Sequence, residues 1–531
     1  MSISPISTAI SCTDLHFAWP DGDVVFDGLS FVVGPGRSGL VGRNGTGKST
    51  LLRLIAGRLR PQGGAVKSTG LLGYLPQDLT LDVGLTVDQA LGIATTRQAI
   101  AAIEAGDASE ANFTAVGDDW DVEERAEAML GKLGLGSIGL DRRIAELSGG
   151  ETILLGLAAE LMRRPDVLLL DEPTNNLDLS ARHRLYDAVA SFRGALLVVS
   201  HDRELLERVD QIGDLRQGEL TWYGGNLSAY EQAIAIEQEA AERMVRAAES
   251  DVRRQKRELI EARIKIDKRR AQGQRAQEAG GIPKIVAGGL KRSAQVAAGK
   301  HRNLHIDRLE TAKETLAEAE TRVHDDDGIR IDLPATAVPP GRIVLQLDGL
   351  GLRTGQEIDL EIRGPERIAL VGANGAGKST LLHEIVKSAA PVVPYRLLPQ
   401  RLDLLRDDLT IAENLAEVAP QTDNNERRAQ LARFLFRGRA ADQLVGTLSG
   451  GERFRATLAA LLLAEPPPQL LMLDEPTNNL DLASVAQLTD ALASYAGALV
   501  VASHDLPWLR SIGITRWLQL DSHGLSAIDP L

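Results

Sequence analysis

Two glycine-rich segments carry the residues best suited to chemistry. They read GRNGTGKST at 42–50 and GANGAGKST at 372–380, and both fit the spacing G-x-x-x-x-G-K-[ST]. Glycines at this spacing let backbone N–H groups curl round phosphate oxygens, the lysine reaches the β- and γ-phosphates, and the serine hydroxyl coordinates Mg²⁺. The segments therefore predict two triphosphate sites. Their residues are Gly42, Asn44, Gly45, Gly47, Lys48, Ser49 and Thr50 in the first site, and Gly372, Asn374, Gly375, Gly377, Lys378, Ser379 and Thr380 in the second.

The acidic phrase DEPTNNLD occurs at 171–178 and again at 474–481. Each copy follows an apolar run of strand length, and α/β sheets place their ligands at the carboxyl ends of strands. Asp171 and Asp474 are suited to holding Mg²⁺ through water, and Glu172 and Glu475 to polarising the water that attacks a γ-phosphate. The alternative, surface carboxylates that cap helices, is disfavoured.

Three shorter phrases recur in the same order, so the chain contains a large internal repeat. LPQ ends at Gln77 and at Gln400, LSGGE begins at 147 and at 448, and SHD begins at 200 and at 503. Apolar runs such as SGLVG and ALLVV accompany the motifs, as expected for strands buried on both faces of a parallel sheet. Each copy is therefore predicted to be an α/β domain with a largely parallel sheet.

Between the two copies the sequence pattern typical of β-strands is absent, and apolar residues repeat every seven positions instead. One series is Val245, Val252, Leu259 and Ile266, and the other is Leu309, Leu316 and Val323. Heptads of this kind predict two helices that pack antiparallel against each other. The glycines and Pro283 within 273–300 predict the turn region between them.

Charge is distributed unevenly along the chain. The formal net charge is −14, yet residues 243–302 contain 17 Lys and Arg against 6 Asp and Glu. A basic segment within an otherwise acidic chain suggests a polyanionic partner. The chain has no apolar run of about 18 residues and no secretory signal, so neither a membrane span nor export is expected. The single cysteine, Cys12, fits a reducing cytosol.

Together these motifs resemble those of ATP-binding cassettes. The resemblance covers both copies and implies cassette one at 1–227, a linker at 228–341 and cassette two at 342–531. It also implies that the LSGGE phrase of each cassette closes over the nucleotide held by the other. Site one would pair the first glycine loop with Ser449, Gly450 and Gly451, and site two would pair the second loop with Ser148, Gly149 and Gly150.

The same resemblance gives roles to the other repeated residues. Gln77 and Gln400 would sense the metal and the attacking water, and His201 and His504 would contact the γ-phosphate. Trp19 stands where this superfamily places an aromatic ring against adenine. The corresponding stretch of the second copy, near Leu352, has no aromatic residue, which suggests unequal sites.

Specific sequence features narrow the resemblance to the ABC-F subfamily of soluble, ribosome-associated ATPases. Glu151 and Glu452 stand where transporter cassettes usually have glutamine, and a long charged linker joins the two cassettes in one chain. Membership implies a cytoplasmic protein that uses ATP and Mg²⁺ and pairs its cassettes within a monomer. The linker would enter the ribosomal E site towards the P-site tRNA and the peptidyl-transferase centre. The extra residues after Gln77 would form a short arm at about 90–135.

Several functions remain open at this point. The protein could be a general translation factor or a resistance factor that dislodges a ribosome-targeting antibiotic. It could instead be the energy module of a separate membrane exporter, or an ATPase that binds branched DNA. For an RNA partner, phosphate contacts by basic side chains should dominate. The candidate contacts are Arg269, Arg270, Lys284, Lys291 and Arg292.

Overall fold

The computed structural model describes residues 8–79, 82–278, 303–320, 333–388, 391–401 and 403–531. The chain forms two compact units. One contains both cassettes, Met1–Ala229 with Gly328–Leu531, and the other is the linker, Tyr230–Asp327. In the described residues, no helix combines the length and apolar character needed to cross a membrane.

Cassette one is built on a six-stranded sheet in which apolar strands lie at the centre. The strand order is β5-β6-β7-β3-β8-β9, parallel except for the last pair, and β2-β1-β4 form a separate antiparallel sheet. Every residue of β6 and β7 is buried, as strands covered on both faces require. The strands are β1 (Ile10–Ala18), β2 (Val24–Val33), β3 (Gly36–Val41), β4 (Gly63–Ser68), β5 (Leu72–Leu75), β6 (Val167–Asp171), β7 (Ala195–Val199), β8 (Gln211–Arg216) and β9 (Glu219–Gly224).

The helices of cassette one follow the motifs that the sequence repeats. Helix α1 begins in the glycine loop, and α6 begins at LSGGE. The segment between Gln77 and LSGGE, which is longer in this cassette than in the second, includes α3, α4 and α5. The helices are α1 (Lys48–Ile55), α2 (Val87–Ala90), α3 (Ala94–Glu104), α4 (Glu110–Val116), α5 (Val122–Lys132), α6 (Gly149–Met162), α7 (Leu179–Ser191) and α8 (Arg203–Leu206), with a 3₁₀ turn at Ile144–Glu146.

The linker consists of a long helix, α9 (Leu227–Glu278), and a second helical segment, α10, at 303–320. The predicted heptad positions are the less exposed ones. Val245, Val252 and Leu259 of α9 are partly buried, as are Leu309 and Leu316 of α10, while the residue that directly follows each of them is exposed. The predicted helical linker between the cassettes is therefore confirmed. Val323, the turn region at 279–302 and the side chain of Ile266 lie outside the described residues.

Cassette two repeats the six-stranded sheet with the order β13-β14-β15-β12-β16-β17, and β10 pairs with β11. Its strands are β10 (Ile343–Gly351), β11 (Glu357–Arg363), β12 (Arg367–Val371), β13 (Tyr395–Leu398), β14 (Leu470–Asp474), β15 (Ala498–Ala502), β16 (Arg516–Asp521) and β17 (Gly524–Ile528). Its helices are α11 (Lys378–Lys387), α12 (Ile411–Val418), α13 (Asn424–Arg433), α14 (Gly450–Leu462), α15 (Leu482–Ala493) and α16 (Leu506–Ser511), with 3₁₀ turns at Pro334–Thr336, Gly438–Asp442 and Val445–Thr447. The predicted fold class, two α/β cassettes joined by a helical linker, is confirmed.

Candidate functional site

The glycine loops lie between a buried strand and the helix that follows it in each cassette. Lys48 Nζ donates hydrogen bonds to the carbonyl oxygens of Gly42 at 2.7 Å and Arg43 at 3.0 Å. The same pair of bonds, at 2.7 and 3.2 Å, surrounds Lys378. Burial lowers the pKa of both lysines, and neighbouring carboxylates oppose this shift. Each loop thus holds a buried ammonium group at the base of a phosphate cradle.

A serine and an aspartate meet beside each lysine. Ser49 Oγ donates to Asp171 Oδ1 at 2.9 Å, and Ser379 Oγ donates to Asp474 Oδ1 at 3.0 Å. At site one, Ser49 and Gln77 line one cavity. The side-chain oxygens of Ser49, Asp171 and Gln77 are of the hard type that Mg²⁺ prefers when phosphates and water complete its shell. Gln400 follows β13 by two residues and is exposed.

The glutamate after each aspartate lies against the histidine of the SHD phrase. Glu172 Oε1 is 3.3 Å from His201 Nε2, and Glu475 Oε1 is 3.4 Å from His504 Nε2. Burial raises the pKa of Glu172 to about 8 and that of Glu475 to about 7. Burial also lowers the pKa of each histidine to about 3. Both histidines are therefore neutral at physiological pH. The raised pKa values mean that the two glutamates retain their protons up to about neutral pH, and that their ionised forms are stronger proton acceptors than an exposed carboxylate.

Buried polar atoms in this region are left without hydrogen-bond partners in the protein. They include Nδ1 of His504, Oε2 of Glu475 and both ring nitrogens of His201, whose Nε2 lies 3.3 Å from Glu172 Oε1 without forming a hydrogen bond. Because an unpaired buried polar group is costly, these atoms fit a polar ligand in the site. Both glutamates also have positive φ, 49° for Glu172 and 46° for Glu475, a conformation that is sparsely populated by residues other than glycine and clusters at functional sites.

The two cassettes meet through the asparagines of their glycine loops. Asn44 N donates to Asp481 Oδ2 at 2.8 Å, and Asn44 Nδ2 donates to the carbonyl oxygen of Asn479 at 2.8 Å. The second loop makes the reciprocal pair, in which Asn374 N donates to Asp178 Oδ2 at 3.5 Å and Asn374 Nδ2 donates to the carbonyl oxygen of Asn176 at 2.8 Å. Each phosphate loop is therefore held by the end of the other cassette's acidic phrase.

The LSGGE phrases form the first turns of α6 and α14. Ser148 and Ser449 each cap their helix by accepting a hydrogen bond from the amide three residues later, at 3.3 and 3.4 Å. Partial burial alone would raise the pKa of Glu452, but hydrogen bonds from Ser449 and the charges of Arg455 and Arg43 lower it. Glu452, in the first turn of α14, therefore lies within electrostatic range of Arg43 in the glycine loop of cassette one. The glycines of these first turns are Gly149, Gly150, Gly450 and Gly451.

Site one encloses a cavity of about 440 Å³ between the cassettes. The predicted residues that line it are Trp19, Asn44, Gly45, Gly47, Lys48, Ser49, Thr50, Gln77, Glu172 and His201. Asn479 of cassette two closes the cavity. The Trp19 ring packs edge-on against Phe17, with ring centroids 5.2 Å apart. This contact orients the indole ring at the edge of the cavity.

The position of Trp19 in cassette two is occupied by Leu352. Trp19 N donates to Asp23 O at 2.9 Å, and Leu352 N donates to Gln356 O at 2.8 Å in a turn of the same length. Leu352 is buried in the core. Site two therefore has an aliphatic side chain where site one has an indole.

The sequence interpretation missed the asparagines and aspartates that end the acidic phrases. Asn176 and Asn479 have left-handed φ values of 62° and 61°, and Asp178 and Asp481 cap the following helices with one oxygen while the other faces the opposite loop. The sequence did contain a signal for these residues. The two copies of DEPTNNLD are identical through the asparagines and the final aspartate, and not only through the acidic pair at their start.

The candidate RNA contacts lie in the linker. Arg269 and Arg270 belong to α9, whereas Lys284, Lys291 and Arg292 lie outside the described residues. Arg253 and Arg254 of α9 are mostly exposed, and they form ion pairs with Glu249 and Asp251 of the same helix. The role of the five candidates stays a prediction.

Comparison with known proteins gives a consistent result over most of the chain. The ABC transporter family model matches residues 26–175 and 356–478. Tylosin resistance ATP-binding protein TlrC of Streptomyces fradiae is 35% identical over 91% of this chain and 92% of its own length. Energy-dependent translational throttle protein EttA of Mycobacterium tuberculosis is 30% identical over 91% of this chain and 86% of its own length. Among solved structures, RNase-L Inhibitor aligns with a TM-score of 0.57, covering 98% of this chain and 90% of that chain at 18% identity, which shows a shared fold.

Proposed function

Because this chain belongs to the ABC-F subfamily of ATP-binding cassette proteins, we propose that it couples ATP hydrolysis at two sites between its cassettes to reversible binding of the ribosome. The protein is an ATPase that binds ATP through its cassettes. One observation supports the coupling most directly. Each glycine loop is held by the opposite cassette through paired asparagine contacts, so a nucleotide in either loop stabilises the paired arrangement of the cassettes.

The residues of each site divide the work of hydrolysis. The glycine loop and its lysine bind the β- and γ-phosphates, and the opposite cassette's LSGGE serine and glycines complete the cradle. Ser49, Asp171 and Gln77 would hold Mg²⁺ at site one, where the ion neutralises phosphate charge. Glu172 accepts the proton of the attacking water, and neutral His201 contacts the γ-phosphate. Lys378, Ser379, Asp474, Gln400, Glu475 and His504 take the same roles at site two.

The ribosome is proposed as partner on two grounds. One relative is named a translational throttle protein, which fits an action on translation, and another is named a tylosin resistance protein, which fits a resistance factor. The linker also carries a basic excess that suits rRNA and tRNA. We place the linker in the E site, directed towards the P-site tRNA and the peptidyl-transferase centre, and we expect the protein in the cytoplasm.

The proposal is tested by trapping the protein in its ATP-bound state and measuring its binding to ribosomes. Glutamine at both Glu172 and Glu475 should leave ATP bound but unhydrolysed, so that the cassettes stay paired. Linkage requires that ATP favours ribosome binding as strongly as the ribosome favours the paired state. In sucrose gradients with ATP, the E172Q/E475Q variant should sediment with ribosomes, while the same variant with ADP and the wild-type protein with ATP should remain mostly free. Free sedimentation of the variant in ATP contradicts the proposal.

A second measurement separates the two possible roles on the ribosome. Expression of the wild-type chain in a susceptible host should raise the minimum inhibitory concentration of macrolides such as tylosin if the protein is a resistance factor. A general translation factor should instead alter polysome profiles without changing susceptibility to any drug of the panel. The E172Q/E475Q variant is the matched control, because it should abolish the protection without removing the protein.

Trp19→Ala is expected to weaken ATP binding at one of the two sites. Stacking of a base on an aromatic ring contributes about 1–3 kcal/mol, which corresponds to roughly a 5- to 150-fold increase in Kd. Calorimetric titration of the E172Q/E475Q variant should therefore show one weakened and one unchanged site. Trp19→Phe, which keeps an aromatic face, should recover most of the affinity, and equal weakening of both sites would count against a base platform at Trp19.

A further inference from the structure

The turn between the first two strands of each cassette differs between the two nucleotide sites. In cassette one this turn begins at Trp19, which is partly buried and lines the same cavity as Lys48 and Ser49. In cassette two it begins at Leu352, which is 6% exposed and packs in the core. A side chain that can face a base is therefore present in one cassette, whereas its counterpart in the other is withdrawn into the core.

The turn of cassette two is anchored to the glycine loop of site two. Gln356 Nε2 donates to the carbonyl oxygen of Ala376, in that loop, at 3.4 Å, and to the carbonyl oxygen of Asp521 at 3.0 Å. Thr354 Oγ1 donates in turn to Gln356 Oε1. Leu352 could not swing out of the core towards a nucleotide without breaking these hydrogen bonds, because the turn that carries it is fixed at its other end.

The corresponding turn of cassette one is held by its own residues. Asp23 stands where cassette two has Gln356, and its side chain is exposed, unlike that of the glutamine. The N–H of Asp23 donates to Asp21 Oδ1 within the same turn at 3.3 Å. The indole of Trp19 packs edge-on against Phe17. The two turns thus have the same length but present different surfaces to a nucleotide.

The groups suited to binding phosphates are matched at the two sites. Lys48 and Lys378 each donate to a glycine carbonyl oxygen at 2.7 Å. The serine that follows each lysine donates to the aspartate of its acidic phrase, at 2.9 Å in site one and 3.0 Å in site two. The triphosphate should therefore contribute similar affinity at both sites, so that the difference between the sites concerns the base.

We propose that site two is a general nucleoside triphosphate site that does not discriminate between bases, whereas site one prefers purines through Trp19. Stacking on an aromatic ring supplies much of the affinity for a base, and its strength depends on the base. A purine presents a larger ring face than a pyrimidine and gains more from the indole. Leu352 offers no such face, so affinity at site two comes from the phosphates and ribose. The inference rests on the proposed binding of a triphosphate at both sites and adds the class of nucleotide that site two accepts.

The test titrates the full-length E172Q/E475Q variant with ATP and, separately, with UTP in a calorimeter, with Mg²⁺ and without ribosomes. At site two, the Kd values for ATP and UTP should agree within about twofold, whereas site one should bind UTP at least about fivefold more weakly than ATP. Adding Lys378→Ala assigns the sites, because it should weaken the binding event that does not discriminate between the two nucleotides.

Two further variants use the ratio of the Kd for UTP to the Kd for ATP, which does not depend on the fraction of protein that is folded. Trp19→Leu gives site one the aliphatic residue of site two, and it should bring the ratio at site one to within about twofold of unity. Leu352→Ala should lower the melting temperature, because it leaves a cavity in the core. It should not change the ratio at site two, since Leu352 does not face the base.

A preference for ATP over UTP of about fivefold or more at site two, comparable to one stacked base, would overturn the inference. A preference at site one that survives in Trp19→Leu would also overturn it, because the residue that distinguishes the two turns would then not read the base. Loss of all ATP binding contradicts the proposed function itself. Failure to sediment with ribosomes, with the expected affinities intact, contradicts only the proposed action on the ribosome.

Discussion

Replacing Glu172 and Glu475 together by glutamine is expected to lower ATP turnover by about 10²- to 10⁴-fold, the usual contribution of a positioned general base. Each glutamate lies within 3.4 Å of the histidine of its site, and burial raises the pKa of both towards neutrality. A raised pKa strengthens the carboxylate as a proton acceptor. Glutamine keeps the size and polarity of the side chain but cannot accept the proton, so binding should survive while turnover is lost. Steady-state phosphate release and ATP binding, measured on the same sample, check this result.

A glutamate outside the seam gives the control for this double variant. Glu413 is the third residue of α12 and closes a capping box with Thr410, a role that glutamine also fills. Glu413→Gln should change turnover by no more than about twofold, since surface substitutions away from buried networks alter free energies by roughly 0.5 kcal/mol. Turnover that persists in the double variant within tenfold of the wild type would exclude the two glutamates as the bases.

The local chemistry of the site could be predicted from the sequence, because neighbouring residues create it. Lys48 and Ser49 are placed by the glycine loop that contains them, and Asp171 is placed by the end of the buried strand β6. The same reasoning predicted the parallel sheets and the heptad face of the linker. These features depend on patterns within about ten residues, which backbone geometry and burial fix directly.

The contacts across the seam could not be predicted in the same way. Asn44 and Asn479 are 435 positions apart in the chain, and their hydrogen bond depends on how two finished domains pack. An asparagine after an acidic pair is equally typical of a turn, so its type alone did not indicate a partner. The inequality of the two sites was partly visible in the sequence, because the missing aromatic residue near Leu352 was evident.

The backbone of the first glycine loop gives a prediction of comparable size. Gly42→Ala is expected to destabilise cassette one by about 2–5 kcal/mol and to abolish ATP binding at site one. Gly42 has a φ of +150°, and a Cβ built on it would lie 2.4 Å from the carbonyl oxygen of Leu215. That oxygen belongs to the buried strand β8 and cannot move without disrupting the sheet, so the loop must shift instead. Calorimetric melting should show a transition lowered by roughly 10 °C for this cassette.

Gly45→Ala separates the clash from the cost of the backbone conformation. Gly45 has a φ of +86°, and a Cβ there would meet no atom within 4 Å. The left-handed conformation alone costs about 1–2 kcal/mol for an alanine, so the transition should fall by only a few degrees and ATP should still bind at site one. If both alanine variants lost binding and stability equally, the close approach between Gly42 and Leu215 would not be what requires glycine. Backbone conformation alone would then explain why glycine is needed at both positions. The same test at Gly372, where a Cβ would lie 2.3 Å from Leu520 O, should give the same answer for site two.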